Sequence, residues 1–242
     1  MEKKQTWGII GLGWLGSALA QELEQAEQPF WGTHRGEFDW GKDRFPGDFC
    51  DVLFLNTPPL PCLSPEDYID KIPIQKGQRI IFISSTSVYG GQGGEVVEST
   101  LPQPLNDSQI WLRQVEQGLV AKFKDQVIVI RPGGLIGGAR HPVYHLAGRK
   151  MLADGLAPVN LIHREDLIKI IMAVAQVPSP PSLINAVAPF HPSRMDYYTG
   201  WARKLGLAEM SFRQEAGNAK LVKSEVLASI HTQWSCPLLD RL

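Results

Sequence analysis

The sequence predicts an α/β fold, a doubly wound parallel sheet with helices on both faces and a small C-terminal lobe. Three observations predict it. Short apolar runs alternate with amphipathic stretches along the 242 residues, the pattern of strands joined by crossover helices. A cluster of glycines follows the first apolar run directly and opens the first helix. No repeat or low-complexity tract interrupts the alternation.

The elements follow in order. Residues 6–10 read as the first strand, and the helix after the glycines runs to about Glu24. Residues 29–32 form the second strand, which leads to Thr33, His34 and Arg35. Residues 51–56 form a third, closed by Thr57-Pro58-Pro59. The stretch 36–50 between these two is too short for a helix, a strand and a helix, so this side of the sheet is trimmed. Residues 79–84 and 126–130 are further buried strands. A helix over 108–124 is expected to turn Ile110, Leu112, Val115, Leu119 and Val120 inward and Trp111 outward. Residues 131–156, rich in glycine and basic side chains, read as a segment that covers a substrate. Helices over 164–176 and 193–205 flank a short strand at 183–186. One domain is expected, its substrate lobe built from about 131–148 and 188–242.

Composition narrows the function classes. Apolar residues make up 43% and charged residues 20%, and 24 Lys+Arg against 25 Asp+Glu leave a net charge of -1. Nothing in that balance draws the chain to nucleic acid or to an anionic membrane. The seven tryptophans are not interleaved with basic residues, so single-stranded nucleic acid has no stacking platform. No stretch reaches the roughly 18 apolar residues that span a bilayer, and the start of the chain is not a secretory signal. Cys50, Cys62 and Cys236 are odd in number and contain no C-x-x-C pair, which argues against a disulfide scaffold or structural zinc and for a cytoplasmic protein. His163, at the start of a predicted helix beside Asp166, is expected to cap backbone groups. No metal site is expected there, because no second ligand stands at the right spacing on that helix face.

The glycines carry the first functional signal. Gly11-Leu12-Gly13-Trp14-Leu15-Gly16 is a G-x-G-x-x-G stretch between strand and helix. In a Rossmann-type domain, Gly11 allows the tight turn, Gly13 lets a diphosphate approach the backbone, and Gly16 lets helix and strand pack closely. The amides of Trp14 and Leu15 then face the phosphates from the positive end of the helix. The expected ligand is a nicotinamide dinucleotide. At the end of the second strand an NAD site usually carries Asp or Glu, whereas this chain offers Thr33, His34 and Arg35. A guanidinium suits a 2′-phosphate, so NADP is expected over NAD.

Ser84-Ser85-Thr86-Ser87-Val88-Tyr89-Gly90, following an apolar strand, resembles the "SS-x-x-VYG" segment of the extended short-chain dehydrogenase/reductases, the NAD-dependent epimerase/dehydratase family. Arg131-Pro132-Gly133-Gly134, Asn160 to Leu167 and Ile184 to Ala188 resemble later segments of that family in the correct order. The resemblance spans roughly residues 6–205. It implies that Ser85 holds the substrate oxygen and that Asn56, Thr57 and Pro58 pass the cofactor's ribose and phosphates. It also implies that Ser84, Thr86 and residues 131–134, including Arg131 and Gly133, line the nicotinamide end. A homodimer paired through the helix at 108–124 is a further implication; Trp111 would suit that interface or be covered by the chain's own tail.

The family's Tyr-x-x-x-Lys dyad is missing. Its two positions fall on Ser108 and Leu112, and none of the five tyrosines is followed four residues later by lysine. A serine hydroxyl is too weak an acid to replace an activated phenol, and leucine supplies no charge. Three readings stand. The acid/base group comes from elsewhere, with Tyr89, His141 and Tyr144 as candidates beside Ser85, in an epimerase or reductase acting on a small hydroxylated or sugar-nucleotide-like molecule. Alternatively the protein is a non-catalytic sensor of NADP(H). Lastly it is a scaffold that has lost its cofactor, which the intact glycine loop opposes.

Overall fold

The computed structural model describes residues 4–34, 36, 38, 43, 50–231 and 233–241. The first half of the chain runs β1 (Trp7–Ile10), α1 (Trp14–Gln25), β2 (Phe30–Thr33), β3 (Val52–Leu55), α2 (Pro65–Asp70), β4 (Arg79–Ile83) and β5 (Gly94–Val96). The second runs α3 (Asp107–Phe123), β6 (Val127–Pro132), β7 (Gly134–Ile136), α4 (Val143–Leu146), β8 (Leu161–His163), α5 (Arg164–Gln176), β9 (Leu183–Ala186), α6 (Arg194–Lys204) and β10 (Lys220–Val222).

Six strands form one parallel sheet in the order β2-β1-β3-β4-β6-β9. Val-Leu-Phe-Leu of β3 is buried throughout because side chains alternate between two covered faces. Val52 and Phe54 point to the side of α1 and α5, where Leu19, Leu23, Ile171 and Val174 meet them. Leu53 and Leu55 point to the side of α2 and α3, against Tyr68, Val115 and Leu119. Each such side chain contributes on the order of 1.5–3 kcal/mol by leaving water. β2 is the edge strand next to β1, and the described residues place no strand beyond it, as the short 36–50 connection requires.

The orientation of α3 corrects the sequence expectation. Trp111 lies inside, 8% exposed, whereas Ile110 and Val120 are each 40% exposed. The buried stripe is Trp111, Leu112, Val115, Glu116 and Leu119. The reason is α2, which the sequence reading omitted. Its Tyr68 ring meets Trp111 edge-on at 5.1 Å, and the Trp111 Nε1 donates to the Leu63 carbonyl at 2.9 Å. The two helices thereby turn α3 about its axis relative to the apolar pattern read alone. Trp111 consequently offers no side chain to a second subunit.

Beyond the sheet, β7 pairs with β8 and β10 with β5 as two short parallel ribbons over the carboxyl ends of the central strands. Ile136, Val143, Val159, Tyr198, Trp201 and Phe212 gather into a separate apolar cluster from residues on both sides of α5. The C-terminal tail is tied back to α5. The fully buried Asp166 carboxylate accepts the Ser235 and Cys236 amides at 2.5 and 3.0 Å, with His231 Nε2 at 3.5 Å. Burial raises its pKa, but the His231 ring beside it and those amides outweigh it and hold the carboxyl below the ordinary value.

Candidate functional site

The glycine loop lies at the end of β1. Gly11 has a φ of 103°, and a Cβ there would sit 2.7 Å from the Asn56 carbonyl oxygen. A Cβ on Gly16 would sit 2.2 Å from the Gly11 carbonyl oxygen, so helix and loop can touch only through bare backbone. Gly13 is the opposite case: a Cβ would meet nothing within 4 Å. It caps α1 without a side-chain hydrogen bond, which leaves the amides of the first turn open. Neighbouring strands fix the loop. The Thr33 hydroxyl accepts from the Gly11 amide at 3.2 Å, and its carbonyl accepts from Leu12 at 2.8 Å. From the other side the Asn56 side-chain amide donates to the Gly11 carbonyl at 3.2 Å. The space over Gly13 and the free amides of Trp14 and Leu15 fit a diphosphate.

Further out the same edge carries His34, exposed, while Arg35 lies outside the described residues. Pro58 is exposed after β3, and the Thr57 hydroxyl pairs with the buried Tyr68 hydroxyl at 3.1 Å.

At the end of β4 a buried polar network joins β4, α3 and β6. Ser84 donates to Glu116 Oε1 at 2.6 Å, and Arg131 grips the same carboxylate through Nε at 2.9 Å and a terminal nitrogen at 2.6 Å. Arg131 also donates to the Tyr89 hydroxyl at 2.9 Å; that phenol oxygen lies 2.9 Å from both the Val97 carbonyl and Asn185 Oδ1. Burial lowers the Arg131 pKa, but the bond to Glu116 overrides it and the guanidinium is held above its usual value. Burial likewise raises the Tyr89 phenol, with Arg131 opposing. Glu116, one helical turn beyond Leu112, was missed by the sequence reading. The signal was there: an acid in the apolar stripe of a helix, with an arginine at the end of the adjacent strand.

Ser85 starts a 3-10 turn at Thr86–Tyr89 and accepts from the Ser87 amide at 3.0 Å. Its own hydroxyl proton has no acceptor among the described residues, so it can be donated to a ligand oxygen. Thr86 is buried, Ser108 is exposed in the first turn of α3, and Leu112 is buried in its stripe. Gly133 donates to the Ala186 carbonyl at 2.9 Å, and a Cβ there would sit 2.5 Å from the Asn160 carbonyl oxygen. Ser84, Arg131 and Gly133 thus share one end of the sheet, with Ser85 continuing from β4.

The lobe candidates sit differently. His141 is 3% exposed; its Nδ1 accepts from the Val143 amide at 3.2 Å and its Nε2 meets the Tyr197 hydroxyl at 2.9 Å. Burial pushes its pKa down to about 4, so the ring is neutral near pH 7. Tyr144, in α4, is exposed. His163 caps α5 by accepting from the Glu165 amide at 3.3 Å. No group of three metal-ligating side chains occurs among the described residues, and no described helix is long and apolar enough to cross a membrane.

No protein-family model matches the chain. It is 32% identical to protein YeeZ of Escherichia coli K12 over 247 residues, covering 88% of this chain and 89% of that protein. A functionally unknown conserved protein from Silicibacter pomeroyi superposes with a TM-score of 0.80 at 20% identity, over 97% of this chain and 95% of the other. UDP-glucuronic acid 4-epimerase from Bacillus cereus, solved with NAD, superposes with a TM-score of 0.76 at 16% identity, over 96% and 93% of the two chains. The chain therefore shares the fold of these structures, a Rossmann-type parallel sheet with helices on both faces.

Proposed function

The chain belongs to the family of protein YeeZ, and we propose that it binds a nicotinamide dinucleotide and acts as an epimerase- or reductase-like enzyme on a small hydroxylated or sugar-nucleotide-like substrate. The observation that carries this reading is the open backbone at Gly13 between two glycines that tolerate no side chain. The NAD held by the Bacillus cereus epimerase of the same fold supports it.

When bound, the nicotinamide supplies a hydride acceptor or donor. This chain's residues do the rest. Trp14 and Leu15 amides hold the diphosphate, while Thr33 and Asn56 keep the loop in register for it. The Glu116–Arg131 pair holds Ser84 at the strand end, and Ser85 next to it donates a hydrogen bond to the substrate oxygen. Tyr144 keeps an exposed phenol on the lobe. Tyr89 and His141 spend their polar atoms inside the protein, an observation that favours the second reading, a non-catalytic NADP(H) sensor. We place the protein in the cytoplasm and infer NADP over NAD from Arg35 and from the lack of an acid at Thr33–His34. A homodimer through α3 would use the exposed Ile110 and Val120 face.

Calorimetric titration with NAD, NADH, NADP and NADPH, followed by a carbonyl and sugar-nucleotide screen with the tightest of them, tests this reading. Binding with turnover supports the enzyme, and tight binding with none across the screen supports the sensor. No binding of any of the four contradicts both.

A further inference from the structure

Trp14, the first residue of α1, carries two cations. The Arg164 guanidinium carbon lies 4.4 Å from the centroid of its indole and that of Arg140 lies 4.9 Å away. Arg164 also donates to the Trp14 carbonyl at 3.4 Å. Both arrive from far along the chain. Arg164 opens α5, and Arg140 closes a tight turn in which Gly137 and Arg140 bond each other's backbone at 3.0 and 3.2 Å. Beneath that turn the buried His163 Nε2 has no hydrogen-bond partner among the described residues, and it would lie 3.1 Å from a Cβ on Gly137.

Neither arginine has a carboxylate partner among the described residues. Two like charges on one ring repel each other, and the cation–π contacts oppose that repulsion. A third positive contribution comes from α1, whose amino end carries roughly half a charge. Trp14 is the first residue of α1, so the ring that carries both cations stands at the amino end of that helix, next to Gly13. Such an uncompensated concentration of positive potential is stabilised by a bound anion of matching charge.

We propose that Arg140 and Arg164 neutralise the diphosphate of the bound dinucleotide from the lobe side of the glycine loop, with Trp14 as the platform that positions both guanidiniums. This rests on the dinucleotide reading above and extends it: the site is completed by residues from outside the first strand–helix unit. The 2′-phosphate end, at Thr33–Arg35, is a separate locus.

The test compares the unaltered protein with Arg140→Gln, Arg164→Gln and the double variant, each titrated calorimetrically with NADH, NADPH, ADP-ribose and adenosine. Each single change is expected to weaken NADH, NADPH and ADP-ribose alike by about tenfold, as for loss of a charge-assisted contact, and to leave adenosine unchanged. Arg140→Lys should recover part of the loss, since it restores charge without the fork. Arg140 is exposed and Arg164 half-buried, so the unfolding temperature of the free variants should hold. Equal affinity of variants and unaltered protein overturns the inference and leaves the dinucleotide reading standing. A loss confined to NADPH assigns the arginines to the 2′-phosphate and also overturns it. If the unaltered protein binds none of the dinucleotides, the functional reading falls and this inference with it.

Discussion

Gly13 and Gly16 stand three residues apart and answer a methyl group in opposite ways. Gly16→Ala drives a Cβ against the Gly11 carbonyl oxygen, a backbone atom that cannot swing aside, and should lower stability by about 1–3 kcal/mol or more in a urea titration. Gly13→Ala meets open space in an extended backbone conformation and should unfold at the same denaturant concentration as the unaltered protein. His141 gives a pH signature at the same scale. Its folded pKa of about 4 lies below the ordinary 6.5, so the unfolded chain binds the extra proton first. Stability is therefore full above pH 6.5 and is lost as pH falls toward 4, by about 3 kcal/mol in all from this group. Urea midpoints at pH 7 and pH 5 should show the fall, and His141→Asn should flatten it. His163 and His191, also lowered by burial, add in the same direction. The glycine spacing was legible in the sequence because its sterics are local. The engagement of Tyr89 and His141 was not, since their partners Asn185 and Tyr197 lie 96 and 56 residues away.

Elements were legible where periodicity was strong and misread where a neighbour decided. The strands of the central sheet and α5 read correctly from apolar runs and a helical stripe. For α3 the period was right and the rotation was wrong, because Tyr68 of the short α2 claims Trp111. The Ser64-Pro65 start of α2, a side-chain cap followed by proline, is a local signal that could have revealed that helix. Trp111→Lys should accordingly leave the mass in solution unchanged while costing about 3–5 kcal/mol of stability, the toll of an emptied aromatic site. A change in mass with unaltered stability would return Trp111 to an intersubunit role. The Glu116–Arg131 pair joins α3 to β6, and Glu116→Ala would leave a buried guanidinium without its carboxylate. A loss of about 3–5 kcal/mol in chemical unfolding is expected. Arg131 stood out in the sequence; its acid did not, because one helical turn beyond the dyad positions is not where the resemblance directs attention.

At the scale of the whole molecule, distant segments complete a site that begins at the amino end. The ribbons β5–β10 and β7–β8 cover the strand ends, and the tail returns to Asp166. Few of these contacts could be read beforehand. Asp166 meets Ser235 and Cys236 across 69 and 70 residues of sequence, and no local pattern marks such a pairing. Asp166→Ala should free the tail, seen as faster hydrogen exchange at the Ser235 and Cys236 amides, while protection in the central strands persists. Through the lobe and α5 the molecule also brings Arg140 and Arg164 to Trp14, so the opening motif is complete only once the chain has folded back on it. The claim beneath all of this is that the bare backbone at Gly13 receives a dinucleotide's diphosphate. Calorimetry of NADPH and NADH with the unaltered protein and with Gly13→Ala tests it most directly. Measurable binding to the first, weakened by about tenfold or more in the second at unchanged stability, is the predicted result. Equal affinity in both proteins, or no heat from either nucleotide with the unaltered one, would contradict it.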